Sequence, residues 1–157
     1  MRVGDLIQLK WKDIEGDFLI YKMNKNGETM PLKLIAKAQE ILKYYKPVKP
    51  NLDSYIFPLF DNNILYTNPK FLNSQIGSKT AIINNNLKRL AKLAEINTNL
   101  TNHISRHSYA DIVRKSGASL YDLKNLLGHS NTKITEKYIA SFDKEASDNA
   151  HTKAMDY

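Results

Sequence analysis

The chain has no cysteine, so disulfide bonds, thiol catalysis and thiolate metal sites are excluded for its 157 residues. It also has no apolar run near the roughly 20 residues that a transmembrane helix needs, and its N-terminus lacks a signal-peptide apolar segment. These absences predict a soluble, cytoplasmic protein without a membrane-spanning helix. Arginine is scarce, with four arginines beside 19 lysines. An arginine inside a motif therefore carries more information than usual.

The overall charge favours a polyanionic partner. Lysine and arginine total 23 against 16 acidic residues, which gives a net charge of +7 and an isoelectric point of about 9.4. Nucleic acid and an anionic membrane surface both fit this balance. The length is that of one domain.

The pattern of apolar residues predicts an α+β fold that is mostly helical, with a small antiparallel sheet near residues 17–34. In that region two β-prone segments flank Asn26-Gly27, which indicates a hairpin. Pro31 cannot donate to a ladder, so the second strand should lie at a sheet edge. The hairpin tip would present Lys25 to solvent or to a ligand.

Helical spacing covers most of the remaining chain, and glycine marks several helix ends. Gly117 and Gly128 should end two helices in left-handed caps, and Ser130 or Asn131 should cap the helix that carries Tyr138. The Asn-rich segment 61–78 is predicted to be a loop, and the tail from Phe142 to be a weak helix. The other predicted helices lie near 3–7, 35–45, 87–94, 109–113 and 120–127.

The most informative residues are His103, Arg106, His129 and Tyr138, which occur in this order near the C-terminus. A guanidinium matches two phosphate oxygens, an imidazole moves protons near neutral pH, and a phenol can become a covalent nucleophile. Together these groups indicate attack on a phosphodiester without a metal.

Simpler interpretations exist for each residue taken alone. His103 and Arg106 fit a helix start with a surface arginine, His129 fits an exposed turn, and Tyr138 fits a packed aromatic. His103 and His107 have the i, i+4 spacing of a zinc pair, with His129 as a third ligand. However, the zincin pattern requires glutamate directly after the first histidine, where this chain has isoleucine, and Arg106 would repel a cation.

Five segments in a fixed order resemble the tyrosine recombinase, or phage-type integrase, family. Arg2-Val-Gly-Asp-Leu, continuing to Trp11-Lys-Asp, is similar to the segment with the family's first catalytic arginine. The hairpin with Lys25 resembles the one that carries the catalytic lysine. His103-Ile-Ser-Arg106 resembles the His-x-x-Arg box. Leu-Leu-Gly-His129-Ser resembles the second histidine box, and the nucleophile follows nine residues later at Tyr138.

The resemblance implies a tyrosine recombinase catalytic domain over residues 1–157, without a cofactor or metal. The implied catalytic residues are Arg2, Lys25, His103, Arg106, His129 and Tyr138. They would cleave and rejoin double-stranded DNA through a 3′-phosphotyrosyl intermediate. The family's upstream core-binding domain has no counterpart in these residues, so we expect a fragment. The fragment should be a monomer and the full-length protein a tetramer on DNA.

Two related activities remain open at this stage. A type IB topoisomerase uses a similar nucleophile and similar cations but lets the free strand rotate. A non-catalytic relative would keep the basic surface and bind DNA with strong salt dependence, without a covalent product.

Overall fold

The structure, a computed structural model, describes residues 1–24, 27–49, 51–129, 131–137 and 139–140. The chain divides into two compact units, Met1–Ile104 and Ser105–Tyr157. Each unit has its own cluster of buried apolar side chains, and each is described separately below.

The first unit contains a three-stranded antiparallel sheet. Its strands β1 (Ile14–Glu15), β2 (Phe18–Lys22) and β3 (Thr29–Lys33) lie in the order β1-β2-β3. Pro31 lies on β3, an edge strand of this sheet, and pairs with Ile20 of β2. At this position the missing N–H of proline removes no hydrogen bond between the strands. The predicted hairpin and its edge position are confirmed, and β1 is an additional short strand.

A bonded loop connects β2 and β3. The N–H of Met23 donates to Glu28 O, and the N–H of Gly27 donates to Met23 O, each at 2.8 Å. Gly27 has a φ of +72°, a left-handed conformation that glycine adopts without steric cost. The predicted Asn-Gly turn is thus part of a longer loop, whose residues 25 and 26 lie outside the described residues.

The core of the first unit lies between the sheet and the segments that precede and follow it. Its buried residues are Leu9, Trp11, Leu19, Tyr21, Met23 and Ile56. Helix α1 (Val3–Ile7) packs against α3 (Pro69–Leu93). A Cβ built on Gly4 would stand 3.3 Å from Ile76 Cγ2, so glycine permits this close approach.

Helix α2 (Ala36–Tyr45) matches its prediction, whereas the prediction of a loop over 61–78 is right for 61–68 and wrong from Pro69 onward. Helix α3 begins at Pro69, because the Asn68 side chain caps it by accepting from the N–H groups of Lys70 and Phe71, at 2.9 and 3.2 Å. Proline at the first helical position adds to this start signal. The asparagines of this region therefore include a helix cap, and the predicted helix at 87–94 is the end of α3.

Among the described residues of the second unit, all regular secondary structure is helical. Helix α4 (Asn102–Lys115) begins at the end of the first unit, and α5 (Leu120–Leu127) follows after a turn. Residues 132–137 and 139–140 are also helical and are called the last helical segment here. Gly117 and Gly128 have φ values of +87° and +59°, which confirms both left-handed helix ends.

A capping box starts α5, where the Ser119 hydroxyl accepts from Asp122 N–H at 3.1 Å and Asp122 Oδ2 accepts from Ser119 N–H at 3.1 Å. The buried side chains of this unit's cluster are Ala110, Leu123 and Leu127, with Val113 and Ile139 packed against them. This cluster joins α4, α5 and the last helical segment into one core.

The predicted fold class, mostly helical with a small antiparallel sheet, is confirmed. Within the described residues, no helix combines the length and apolar character needed to cross a membrane.

Candidate active site

Arg2 directly precedes α1 as its N-cap residue, and its carbonyl accepts a hydrogen bond of 3.0 Å from Leu6 N–H. The residue is half-buried. The backbone of the predicted first catalytic arginine is thus part of a helix start, and α1 is held against α3.

Asp5, in the first turn of α1, is a candidate site residue to which the sequence analysis gave no role. It is only 4% exposed, and its Oδ1 accepts a hydrogen bond of 3.0 Å from Asn24 N–H. Its Oδ2 is also buried and makes no hydrogen bond to the described residues. A carboxylate in the first turn is favoured by the helix dipole. Asp5 therefore joins the Arg2 segment to the hairpin loop.

Lys25 itself lies outside the described residues. The loop that carries it is held on both sides, because Asn24 bonds to Asp5 and Gly27 bonds to Met23. The role of Lys25 stays a prediction.

The only available sequence signal for Asp5 was its place in the Arg2-Val-Gly-Asp5 motif.

His103 lies exposed in the first turn of α4. The start of this helix is fixed to α3, because the N–H of Asn102 donates to Asn84 Oδ1 at 2.9 Å. The unit boundary falls just after Ile104, inside α4, so His103 belongs to the first unit and Arg106 to the second.

Arg106 is half-buried in the following turn of α4. Its Nη2 donates a hydrogen bond to the backbone carbonyl of Leu127, the last residue of α5. Four carbonyls at a helix C-terminus lack partners within the helix and carry partial negative charge, so this end suits a guanidinium. The arginine is thus held by α5, with its remaining N–H groups in a planar fork.

His129 follows Gly128, the left-handed cap of α5, and its backbone N–H donates to Lys124 O at 3.0 Å. The residue is 9% exposed, and its Nδ1 lies 2.9 Å from Thr135 Oγ1 in a buried hydrogen bond. The interpretation of His129 as an exposed turn residue is therefore wrong. The left-handed cap reverses the chain and places the imidazole inside the unit.

The second unit brings two of the predicted site residues to one place, the C-terminal end of α5. Arg106 binds the carbonyl of Leu127, and His129 lies two residues further along the chain. Thr135, fully buried on the last helical segment, holds the imidazole. The result is a guanidinium and an imidazole, two groups that can contact phosphate oxygens, supported by one helix end.

Tyr138 and Ser130 lie outside the described residues, as does the predicted helix from Phe142. The helical assignment at 132–137 and 139–140 agrees with the predicted helix around Tyr138. Asn131 is its cap, since its Oδ1 accepts from Lys133 N–H at 2.8 Å. Tyr138 stays a prediction as the nucleophile.

The other cations of α4 pair with an acid. Asp111 contacts Lys115 Nζ at 2.6 Å and Arg114 Nη2 at 3.0 Å. The hydrogen bond from Lys115, which has the largest effect, and the one from Arg114 lower the pKa of Asp111 below its usual range. Arg114 and Lys115 are therefore partners of a surface carboxylate, which separates their role from that of Arg106.

Across the part of the chain that the structure describes, no group of three or more His, Asp or Glu side chains lies close enough together to hold a metal ion.

The family model described as the phage integrase family matches residues 1–145 of this chain. The chain belongs to this family. A relative named tyrosine recombinase XerD, from Staphylococcus haemolyticus, is 27% identical over 138 residues, which are 88% of this chain and 45% of that protein. A tyrosine recombinase of Thermosipho africanus is 28% identical over 150 residues, or 94% of this chain and 48% of the relative. The chain thus spans less than half the length of these relatives.

Two solved structures share the family fold. The crystal structure of XerA recombinase superposes with a TM-score of 0.61 at 20% identity, covering 87% of this chain and 47% of that one. A post-cleavage complex of the XerH site-specific recombinase with its palindromic difH substrate also gives a TM-score of 0.61, at 23% identity. It covers 97% of this chain and 41% of XerH. At these identities the similarity concerns the fold.

Proposed function

We propose that this chain is the catalytic part of a tyrosine-type site-specific recombinase that cleaves and rejoins double-stranded DNA. One observation carries the proposal: Arg106 and the buried His129 both lie at the C-terminal end of α5, and each is held by a hydrogen bond. Family membership, the names of the relatives and the net charge of +7 support the same function.

Arg106 and Arg2 are the proposed phosphate-binding cations. During phosphoryl transfer, negative charge increases on the oxygens of the scissile phosphate, and cations held in place before the reaction stabilise it most. The bond from Arg106 to Leu127 O orients its guanidinium in advance. A lysine has no planar fork and could not bind this carbonyl and a phosphate oxygen in the same geometry.

Tyr138 is the proposed nucleophile, and His103 the proposed base. The phenol of tyrosine has an ordinary pKa of about 10, so its proton must leave as the oxygen attacks phosphorus. His103 accepts this proton while His129 donates a hydrogen bond to a phosphate oxygen. The new bond joins Tyr138 Oη to the 3′-phosphate, and the bond from phosphorus to the 5′-oxygen breaks.

Lys25 is the proposed general acid that gives a proton to the departing 5′-oxygen. The phosphotyrosyl bond retains the energy of the cleaved ester, so a 5′-hydroxyl from another strand can attack phosphorus and release the tyrosine. In that step the attacking 5′-hydroxyl gives its proton to Lys25, and the tyrosine regains its proton from His103. Atoms and charge balance without ATP, metal or another cofactor.

The proposed partner is double-stranded DNA, and no membrane partner is proposed. Because the chain spans less than half the length of its relatives, we assign assembly to the longer protein. There we expect a homotetramer on DNA, whereas this chain alone should be a monomer. The expected location is the cytoplasm, in association with DNA.

Covalent capture tests this function. The probe is a pool of nicked DNA duplexes with randomised arms, incubated with the chain and with a version extended upstream in its coding sequence. A recombinase gives a protein–DNA adduct that survives denaturant, and sequencing of the captured DNA identifies the site. Tyr138→Phe should abolish the adduct, whereas Tyr121→Phe, which alters an exposed tyrosine of α5, should retain it.

Each competing function predicts a different result in the same assay. A type IB topoisomerase would form the adduct but relax supercoiled plasmid without sequence preference. A non-catalytic relative would bind the pool in a salt-sensitive manner and give no adduct. A zinc hydrolase would lose activity with a chelator. An adduct that persists in Tyr138→Phe would disprove the nucleophile assignment.

A further inference from the structure

We infer that Thr135 is a positioning residue that fixes the imidazole of His129, so that His129 meets the scissile phosphate through Nε2. This inference rests on the proposed function and adds a residue to its machinery. The supporting observation is the bond of 2.9 Å between His129 Nδ1 and Thr135 Oγ1.

Burial makes this contact more than a surface hydrogen bond. Only three polar or charged side chains are buried among the described residues, and two of them are His129, at 9% exposure, and Thr135, at 0%. A buried hydroxyl or imidazole without a partner is costly, because no water replaces the lost hydrogen bond. Each of these two groups therefore stabilises the orientation of the other.

His129 is held both at its backbone and at its ring. The backbone of His129 donates to Lys124 O at 3.0 Å, and its ring is bonded through Nδ1 to the last helical segment. A ring bonded through one nitrogen has a defined plane, and its opposite nitrogen has a defined direction. The bond to Nδ1 thus gives Nε2 a defined direction, and Nε2 is the nitrogen that the inference assigns to the phosphate.

The chemistry of a hydroxyl suits this task. Threonine can donate to a bare Nδ1 or accept from a protonated Nδ1, so the contact survives a change in the protonation state of the ring. A carboxylate in the same place could only accept and would favour the charged imidazolium. The threonine therefore holds the ring in place in either protonation state, while the other ring nitrogen donates to the phosphate oxygen.

The position of Thr135 in the sequence adds a second consequence. Thr135 lies on the last helical segment, three residues before Tyr138, the proposed nucleophile. The bond to His129 therefore connects the second histidine box to the helical segment that contains the nucleophile position. Disturbing this bond should affect the chemical step more than DNA binding.

The test uses Thr135→Val, which removes the hydroxyl and keeps the branched shape, and Thr135→Ser, which keeps the hydroxyl. Thr132→Val is the control, at a half-buried threonine of the same segment. On a captured DNA duplex, Thr135→Val should slow adduct formation by up to about 100-fold while binding stays constant. Thr135→Ser should restore most of the rate, and Thr132→Val should leave it unchanged.

A measurement on the folded wild-type chain tests the contact between His129 and Thr135 even if a variant fails to fold. Nitrogen-15 NMR of the histidine side chains should show His129 with a hydrogen-bonded Nδ1, and this signature should disappear in Thr135→Val and persist in Thr135→Ser. A wild-type spectrum without that bond overturns the inference even if the valine variant fails to fold.

The remaining outcomes distinguish failure of the positioning role from failure of the proposed function. If the wild-type protein forms the adduct and Thr135→Val forms it equally fast, the positioning role is wrong but the proposed function stands. If Thr135→Ser is as slow as Thr135→Val, Thr135 acts through packing and the inference is again wrong. If the wild-type extended protein forms no adduct, the proposed function fails, and the role of Thr135 fails with it.

Discussion

The guanidinium of Arg106, on α4, donates a hydrogen bond to the backbone carbonyl of Leu127, the last residue of α5. This contact places the arginine beside the turn at Gly128, after which His129 enters the core of its unit. The candidate phosphate-binding groups thus depend on the way α5 ends.

Replacing Arg106 with lysine should reduce cleavage much more than DNA binding. Lysine keeps the charge but loses the fork that binds Leu127 O and is proposed to bind a phosphate oxygen as well, so we expect a loss of about 100-fold or more in adduct formation. Quantitative capture and a binding titration at one salt concentration measure the two effects. Arg89→Lys, at an exposed arginine of α3, is the matched control. Equal losses of cleavage and binding would instead make Arg106 a docking residue.

Asp5→Ala should weaken the first unit and loosen its hairpin loop. The substitution removes the carboxylate that accepts from Asn24 N–H, and a hydrogen bond to a charged group contributes about 1.5–3 kcal/mol to stability. Urea unfolding should show this loss in the free energy of unfolding, and the amide of Asn24 should exchange faster with deuterium. Asp17→Ala, at an exposed acid beside the same sheet, should change stability by less than about 0.5 kcal/mol. Unchanged exchange at Asn24 would show that the loop does not depend on Asp5.

Two glycine-to-alanine substitutions should change the free energy of unfolding in opposite directions. Gly128 has a φ of +59°, and alanine there should cost about 1–2 kcal/mol because its Cβ is strained in the left-handed conformation. Gly77 lies within α3 with open space around its missing Cβ, and alanine there should stabilise by about 0.8–1.0 kcal/mol through helix propensity. Thermal and urea unfolding compare both variants with the parent. A neutral effect of Gly128→Ala would refute the strained-cap account of the turn before His129.

The ion pairs of Asp111 should make stability depend on pH in acid. The folded pKa of Asp111 is lowered by Lys115 and Arg114, so the carboxylate stabilises the fold above its unfolded pKa of about 3.9, and this contribution is lost as pH falls through the folded pKa. Asp111→Asn should therefore be less stable than the parent at neutral pH. The difference should shrink towards zero in acid, as urea titrations across this range can measure. A difference that stays constant into acid would point to a cause other than charge.

The fold class and most helix ends could be predicted from the sequence because their causes are local. Apolar spacing marks a helix face, glycine permits a left-handed cap, and Pro31 restricts a strand to an edge. The failure at residues 69–78, where a loop was predicted and α3 lies, has a local cause as well. Asparagine favours both loops and helix caps, and composition alone did not show that Asn68 caps a helix beginning at Pro69.

The sequence by itself determined the family and the order of the candidate catalytic residues, since these depend on residue type and spacing. Only the tertiary structure decided what holds those residues. Asp5 bonds to the backbone of Asn24, 19 positions away, and Arg106 bonds to the carbonyl of Leu127, 21 positions away. Every residue has a backbone carbonyl, and every residue except proline has an N–H, so such partners leave no signature in the sequence. Burial of His129 against Thr135 likewise follows from how the chain packs after Gly128. The order of residue types along the chain does not specify this packing.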